Sequence, residues 1–211
     1  MNTLLVHGLG RTPISLFPLA ATLRRAGHHT QFFGYSPTLE SVPSIVSRLA
    51  DRLRVLARFN QPVALVGHSL GGLLLRLAIA DVPSLQVRRL VMLGSPNQPP
   101  RIAARAWRFL PFRLLARDAG HFLATPDRHA VLPPPTVPYT LIAGDAGPRG
   151  RYSPFGDDAN DGIVALSETR IAPTDVPEVF PVWHSFMMNT PVVRRRIVAI
   201  LSSGDTSDAQ R

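Results

Sequence analysis

The segment Gly67-His68-Ser69-Leu70-Gly71-Gly72 carries the most specific chemistry in the chain. It follows the apolar run Val63-Ala64-Leu65-Val66 and precedes Leu73-Leu74-Leu75, which places Ser69 on a turn between a strand and a helix. A serine on such a turn presents its Oγ clear of the backbone, at the cost of local strain. Glycines two residues before and two after let strand and helix approach with no Cβ between them. The helix N-terminus behind the hydroxyl favours negative charge developing there. Nucleophilic attack through Ser69 is the chemistry expected.

Such a serine needs a base and an acid from later in the chain. His184, in Val182-Trp183-His184-Ser185-Phe186, directly follows a strand-like run and so reaches the same rim of a parallel sheet. The other histidines fit less well. His28 and His29 open a strand at the opposite end, His121 and His129 lie in a long insertion, and His7 reads as a loop-packing residue. His68 neighbours Ser69 but is expected to point elsewhere on the turn. For the acid, Asp157, Asp158 and Asp161 lie together in 156–164, and Asp145 ends a strand. Asp161 is followed by Gly162-Ile163-Val164, a turn and an apolar anchor that would hold it firmly. Its task would be to accept the His184 Nδ1–H, fix the tautomer and stabilise the imidazolium. The Asp-Asp-x-x-Asp grouping also admits a calcium site, although the spacing is not that of an EF-hand loop, and no metal or organic cofactor is expected.

The loop His7-Gly8-Leu9-Gly10 ends the first strand and falls on the same rim. It can aim the backbone N–H of Leu9 at a developing oxyanion, with the N–H of Leu70 as second donor.

These residues require strands that deliver them to one edge. Short apolar β-branched runs at 3–6, 29–33, 62–67, 87–93, 138–143 and 178–182 alternate with helical patterns at 13–26, 42–58, 70–81 and 189–201. Alternation of this kind predicts an α/β fold with about six mainly parallel strands and right-handed crossovers. One domain over 1–202 is expected, with a polar tail at 203–211. Between the fourth and fifth strands, residues 97–137 form an insertion far longer than a usual connection. Arg101, Arg105 and Arg108 would share one helical face there, and Ile102, Ala106, Phe109 and Leu110 the other. Pro111 would interrupt the pattern, which Leu114 and Leu115 resume.

Composition narrows the chemistry further. The 211 residues include no cysteine, which removes disulfides, thiolate metal sites and thiol nucleophiles. All 23 basic residues are arginine, so lysine Schiff-base and Walker-type phosphate chemistry are also removed. The net charge of +9 is spread along the chain rather than gathered in one block, and no nucleic-acid-binding motif accompanies it. The amino terminus runs straight into a strand without a signal-peptide pattern, and no apolar run reaches the roughly 18 residues of a membrane span. A cytoplasmic location is the expectation.

The order Ser69, Asp161, His184, with His7-Gly8-Leu9-Gly10 and Asn160-Asp161-Gly162-Ile163-Val164, resembles the α/β-hydrolase superfamily, and within it small bacterial lipases and esterases. The resemblance spans about Leu4 to Leu201. It implies a minimal hydrolase fold, Asp161 as the acid, and Leu9 and Leu70 as oxyanion donors. It also implies cleavage of carboxylic esters through an acyl-enzyme, with thioester hydrolysis or acyl transfer by the same triad as the alternative, and then a non-catalytic module of the same fold. The sequence departs from the pattern at Arg11, where that family carries more small residues. The basic, amphipathic insertion is expected to act as a lid and to contact a membrane surface peripherally. The expected substrate is a small-molecule or lipid acyl ester, and no nucleic-acid partner is expected.

Overall fold

The computed structural model describes residues 1–203. The strands are β1 (Asn2–Val6), β2 (His29–Phe33), β3 (Val63–His68), β4 (Val87–Leu93), β5 (Tyr139–Gly144) and β6 (Glu178–Phe180). The helices are α1 (Phe17–Arg25), α2 (Val42–Ala57), α3 (Leu70–Ala80), α4 (Arg101–Ala106), α5 (Leu110–Ala124), α6 (Pro126–Ala130), α7 (Leu166–Thr169) and α8 (Pro191–Ser202). The strands pair in the order β2-β1-β3-β4-β5-β6, every pair parallel. The expected α/β architecture is the one observed.

Strand alternation explains why helices cover both faces. Leu4, Val6, Leu65, Leu90 and Met92 enter one apolar cluster, with Ile45, Leu49 and Leu53 of α2 and Leu73 and Leu74 of α3. Leu5, Ala64, Val66, Val91 and Leu93 enter another, with Leu19 and Leu23 of α1 and Val193 and Ile197 of α8. Side chains two apart share a strand face, so a sheet apolar at every position needs helices on both sides. Register sets Val6 opposite Gly67, His68 opposite Leu93 and Leu93 opposite Ile142, which lines up the carboxyl ends of the central strands.

Proline corrects several element boundaries. The helix expected over 13–26 is a 3-10 helix, Pro13–Leu16, followed by α1 with Pro18 in its first turn. Proline lacks the N–H needed in a helix interior but is tolerated where that group would be unpaired anyway. The last strand stops at Phe180 because Pro181 cannot donate to the ladder, and α8 begins at Pro191 after a 3-10 helix, His184–Asn189. Pro111 opens α5 instead of interrupting a helix.

The insertion folds as α4, α5 and α6, and one of its expected faces is wrong. Phe109 and Leu110 do not share the inner face of Ile102 and Ala106: both are more than 60% exposed. The helical period ends at Ala106, and Phe109 has an extended backbone, so the face is not carried forward. Arg101 is bound to Glu168 and Asp158. The base of the insertion is pinned by Arg76 of α3, buried, whose guanidinium donates to Asn97 Oδ1 at 2.8 Å and to the Pro133 carbonyl at 2.7 Å. Burial lowers the Arg76 pKa to about 10. Residues 204–211 of the expected polar tail lie outside the described residues. Among the described residues, no helix is long and apolar enough to cross a membrane.

The helix α3 crosses β1 so closely that a Cβ at Gly71 would lie 2.4 Å from Val6 O and 2.6 Å from His7 O. Both obstacles are backbone and cannot rotate away. Gly71→Ala is therefore expected to lower stability by about 1–3 kcal/mol, read as a reduced urea midpoint with unchanged slope. A midpoint equal to that of the unsubstituted protein would refute the tight crossing.

Candidate active site

Ser69 stands between the last residue of β3 and the first residue of α3, with φ +52° and ψ −122°. A non-glycine residue there is strained by roughly 1–3 kcal/mol, which its surroundings must hold in place. Its N–H donates to Leu93 O at 2.8 Å, tying the turn to the neighbouring strand. A Cβ on Gly67 would meet Gly72 N at 2.4 Å, so the strand and helix that flank the serine touch through bare backbone. The expectation of a strained turn enclosed by glycines holds in the structure.

Asp161 and His184 are brought together. His184 Nδ1 lies 2.7 Å from Asp161 Oδ2, and both residues are buried. The other carboxylate oxygen, Oδ1, accepts the N–H groups of Val164 at 2.7 Å and Ile163 at 3.0 Å. A second link fixes the pair, since His184 N donates to Asp161 O at 2.9 Å. With Nδ1–H directed to the carboxylate, Nε2 is left as the acceptor. Space for this contact comes from Gly94, at the end of β4, where a Cβ would lie 3.1 Å from both Asp161 Oδ2 and His184 Nδ1. Of the other candidate acids, Asp158 pairs with Arg101 and Asp145 with Arg149, and Asp157 is exposed. Among the described residues, no three His, Asp or Glu side chains group as metal ligands.

Ser69 and His184 line one cleft of about 340 Å³, together with Leu9 from the loop after β1. Leu70 is the first residue of α3, so its N–H is one of the helix donors with no partner inside the helix. The apolar part of the lining belongs largely to the insertion, through Ile102, Ala106, Phe112 and Leu123. A hydroxyl on a strained turn, an imidazole oriented by a carboxylate, and nearby backbone donors can together run acyl transfer.

His7 packs as expected: its ring stacks on Tyr35 at 4.2 Å, and the Tyr35 hydroxyl donates to His7 O at 2.9 Å. His68 does not. Its ring lies 4.8 Å from that of His184, and its Nε2 is 3.0 Å from the His184 carbonyl. The sequence contains the reason. His68 has the parity of Ala64 and Val66, so it faces the side of the sheet on which the His184–Asn189 turn packs. A second group that sequence reasoning missed is Arg101, which donates to Glu168 Oε1 at 2.7 Å and to Asp158 Oδ2 at 2.6 Å. Glu168 in turn accepts the Ala165 N–H at 3.0 Å, so the start of the insertion is strapped to the loop that carries Asp161. No local pattern signals contacts across more than fifty residues.

His68, His7 and His129 are all held below the ordinary histidine value, chiefly by burial, and His68 also by the neighbouring His184. Each binds a proton more readily in the unfolded chain than in the native one. Their contribution to stability is complete above pH 6.5, the ordinary histidine value, and is lost on acidification below it. The loss is at most about 1.4 kcal/mol per pH unit for each histidine. Urea midpoints should fall from neutral pH toward pH about 5, and His68→Gln should make that fall shallower. An unaltered pH slope in the variant would exclude His68 as a source.

Residues 3–207 match the model of the alpha/beta hydrolase family. Among solved structures, the chain is similar to Bacillus licheniformis lipase BlEst2 in its mature form, with a TM-score of 0.74 and 23% identity over 95% of this chain and 91% of that one. It is also similar to MGS-MChE2, an alpha/beta hydrolase enzyme from a sediment metagenome of the Mar Chica lagoon, with a TM-score of 0.64 and 19% identity over 97% and 91% of the two chains. The thioesterase domain from the curacin biosynthetic pathway gives a TM-score of 0.60 and 15% identity over 96% and 90%. At these identities the likeness is one of fold. No curated protein sequence matches significantly. The match across nearly the whole chain and the six-stranded parallel sheet agree, and the chain belongs to the alpha/beta hydrolase family.

Proposed function

We propose that the protein hydrolyses carboxylic esters through an acyl-enzyme on Ser69. The observation that carries this reading is the 2.7 Å contact between His184 and Asp161 in a cleft shared with Ser69 on its strained turn. In the proposed cycle, Ser69 Oγ attacks the ester carbonyl while His184 Nε2 takes its proton. Asp161 holds the imidazole in the required tautomer and stabilises its positive form. The N–H groups of Leu9 and Leu70 receive the tetrahedral oxyanion. Collapse expels the alcohol, which takes the proton from His184, and a water molecule repeats the sequence on the acyl-enzyme.

Ser69→Ala is expected to abolish turnover of p-nitrophenyl acyl esters and labelling by a fluorophosphonate. Asp161→Asn should lower kcat by about 10⁴-fold by presenting the wrong tautomer. Labelling that persists in the Ser69 variant, or a binding-only protein that is never labelled, would end the ester-hydrolase reading. The curacin-pathway domain shares this fold, so thioesters of matched chain length belong in the same assay. A kcat/KM about tenfold higher on the thioester would move the reading to thioester hydrolysis.

The insertion supports a peripheral contact with an anionic bilayer. Phe109, Leu110, Leu114 and Leu115 are each 61–67% exposed, and they alternate with exposed Arg105, Arg108, Arg113 and Arg117. No acidic residue occurs between Arg101 and Arg117. Apolar side chains that enter the headgroup region and arginines that meet anionic lipid act together in such contacts. The protein is expected to co-sediment with vesicles containing phosphatidylglycerol and to be released by salt, with Leu114→Ser and Leu115→Ser together weakening binding. Equal sedimentation with purely zwitterionic vesicles would count against it.

A further inference from the structure

Arg11 is the permanently charged side chain in the wall of the cleft, and no Asp or Glu lines the cleft with it. Its guanidinium reaches the Ser185 carbonyl at 3.5 Å, the outer limit of a hydrogen bond. Several arginines elsewhere have carboxylate partners, among them Arg48 with Glu40, Arg101 with Glu168 and Arg196 with Glu178. The Arg11 charge also acts on the interior of the site. Beyond burial and the neighbouring His184, it helps to hold the His68 imidazole down. The remainder of the lining is apolar or neutral, so an anion at Arg11 would meet little competition from protein groups.

The position of Arg11 assigns it to one end of a substrate. Its backbone closes the turn that carries Leu9, with Arg11 N donating to Gly8 O at 3.3 Å. Its side chain reaches the residue directly after His184. His184 must hand its proton to the departing oxygen, so the alcohol portion leaves along the His184 side. The acyl chain is then left to the apolar part of the lining, which includes Ile102, Ala106 and Phe112. A guanidinium offers a fixed fork of donors that fits a carboxylate or a phosphate in a two-point contact.

We propose that Arg11 forms a subsite for an anionic group, carboxylate or phosphate, carried on the alcohol portion of the ester. The assignment rests on the ester-hydrolase reading and narrows its substrate class. The test uses butyryl esters of glycerol, of glycerophosphate and of glycolate, assayed at low salt with the unsubstituted protein, Arg11→Met and Arg11→Lys. The ratio of kcat/KM on an anionic ester to that on the glycerol ester is expected to be about ten or more and to fall to about one in Arg11→Met. Arg11→Lys should fall between, because it keeps the charge and loses the fork. The glycerophosphate and glycolate arms distinguish phosphate from carboxylate. A residue that merely braces the Ser185 carbonyl would lower all rates together and leave the ratio unmoved, and that result overturns the subsite.

A second measurement does not depend on turnover. Calorimetry on Ser69→Ala should show the butyryl glycerophosphate or glycolate ester binding more tightly than the glycerol ester, and adding Arg11→Met should remove the difference. Equal binding of neutral and anionic esters overturns the subsite even if Ser69 proves to be the nucleophile. Absence of all turnover and labelling with the Arg11-dependent difference intact would instead sink the ester-hydrolase reading and keep the anion site.

Discussion

Three stretches of backbone meet around Ser69 at distances that leave no room for side chains. A Cβ at Gly67 would strike the backbone of Gly72, one at Gly71 would strike the carbonyls of Val6 and His7, and one at Gly8 would lie 2.9 Å from Ser69 Cβ. This crossing sets the reach of everything else. It holds Ser69 at a positive φ, brings the Leu9 loop beside it, and starts α3 immediately behind the hydroxyl. The strain is local and the restraint is not. β3 is buried along its whole length between β1 and β4, so the turn cannot relax without disturbing the centre of the sheet.

Asp161 and His184 are held by a different principle. Asp161 is a buried carboxylate, and a buried charge without partners would be very costly. Two backbone N–H groups and the His184 imidazole meet its oxygens, and the return hydrogen bond from His184 N makes the two residues one unit. Around them a second layer of charge sorts the arginines by environment. Arg76 is buried and satisfied mostly by carbonyls, and it fixes both stems of the insertion. Arg101 is satisfied by carboxylates and joins the same insertion to the acid-bearing loop. The insertion that lines much of the cleft is therefore attached at its base to both the helix behind Ser69 and the loop of Asp161.

The lining of the cleft combines apolar side chains with His184 and one cationic side chain. The outer surface of the insertion repeats the pairing of apolar and arginine side chains at larger scale. Both features follow from a composition in which arginine is the basic residue throughout, since guanidinium is more weakly hydrated than ammonium and sits more readily against apolar surface.

The sequence by itself determined the sheet, the turn at Ser69 and the residues that meet there. These are properties of short range. Strand alternation, glycine spacing, the Gly162-Ile163-Val164 anchor after Asp161 and the placement of His184 after the last strand are written within a few residues of each position. The boundaries set by Pro18, Pro181 and Pro191 are also local, although reading them requires taking Pro18 and Pro191 as helix starts and Pro181 as the end of a strand. The parity that aims His68 at the His184 turn was also present, but its meaning depended on which face of the sheet that turn covers. Tertiary structure alone decided the partners of Arg76 and Arg101, the exposure of Phe109 and Leu110, and the isolation of Arg11 among neutral neighbours. Those outcomes depend on which groups from separate elements arrive at the same point, and a linear pattern carries no record of that arrival.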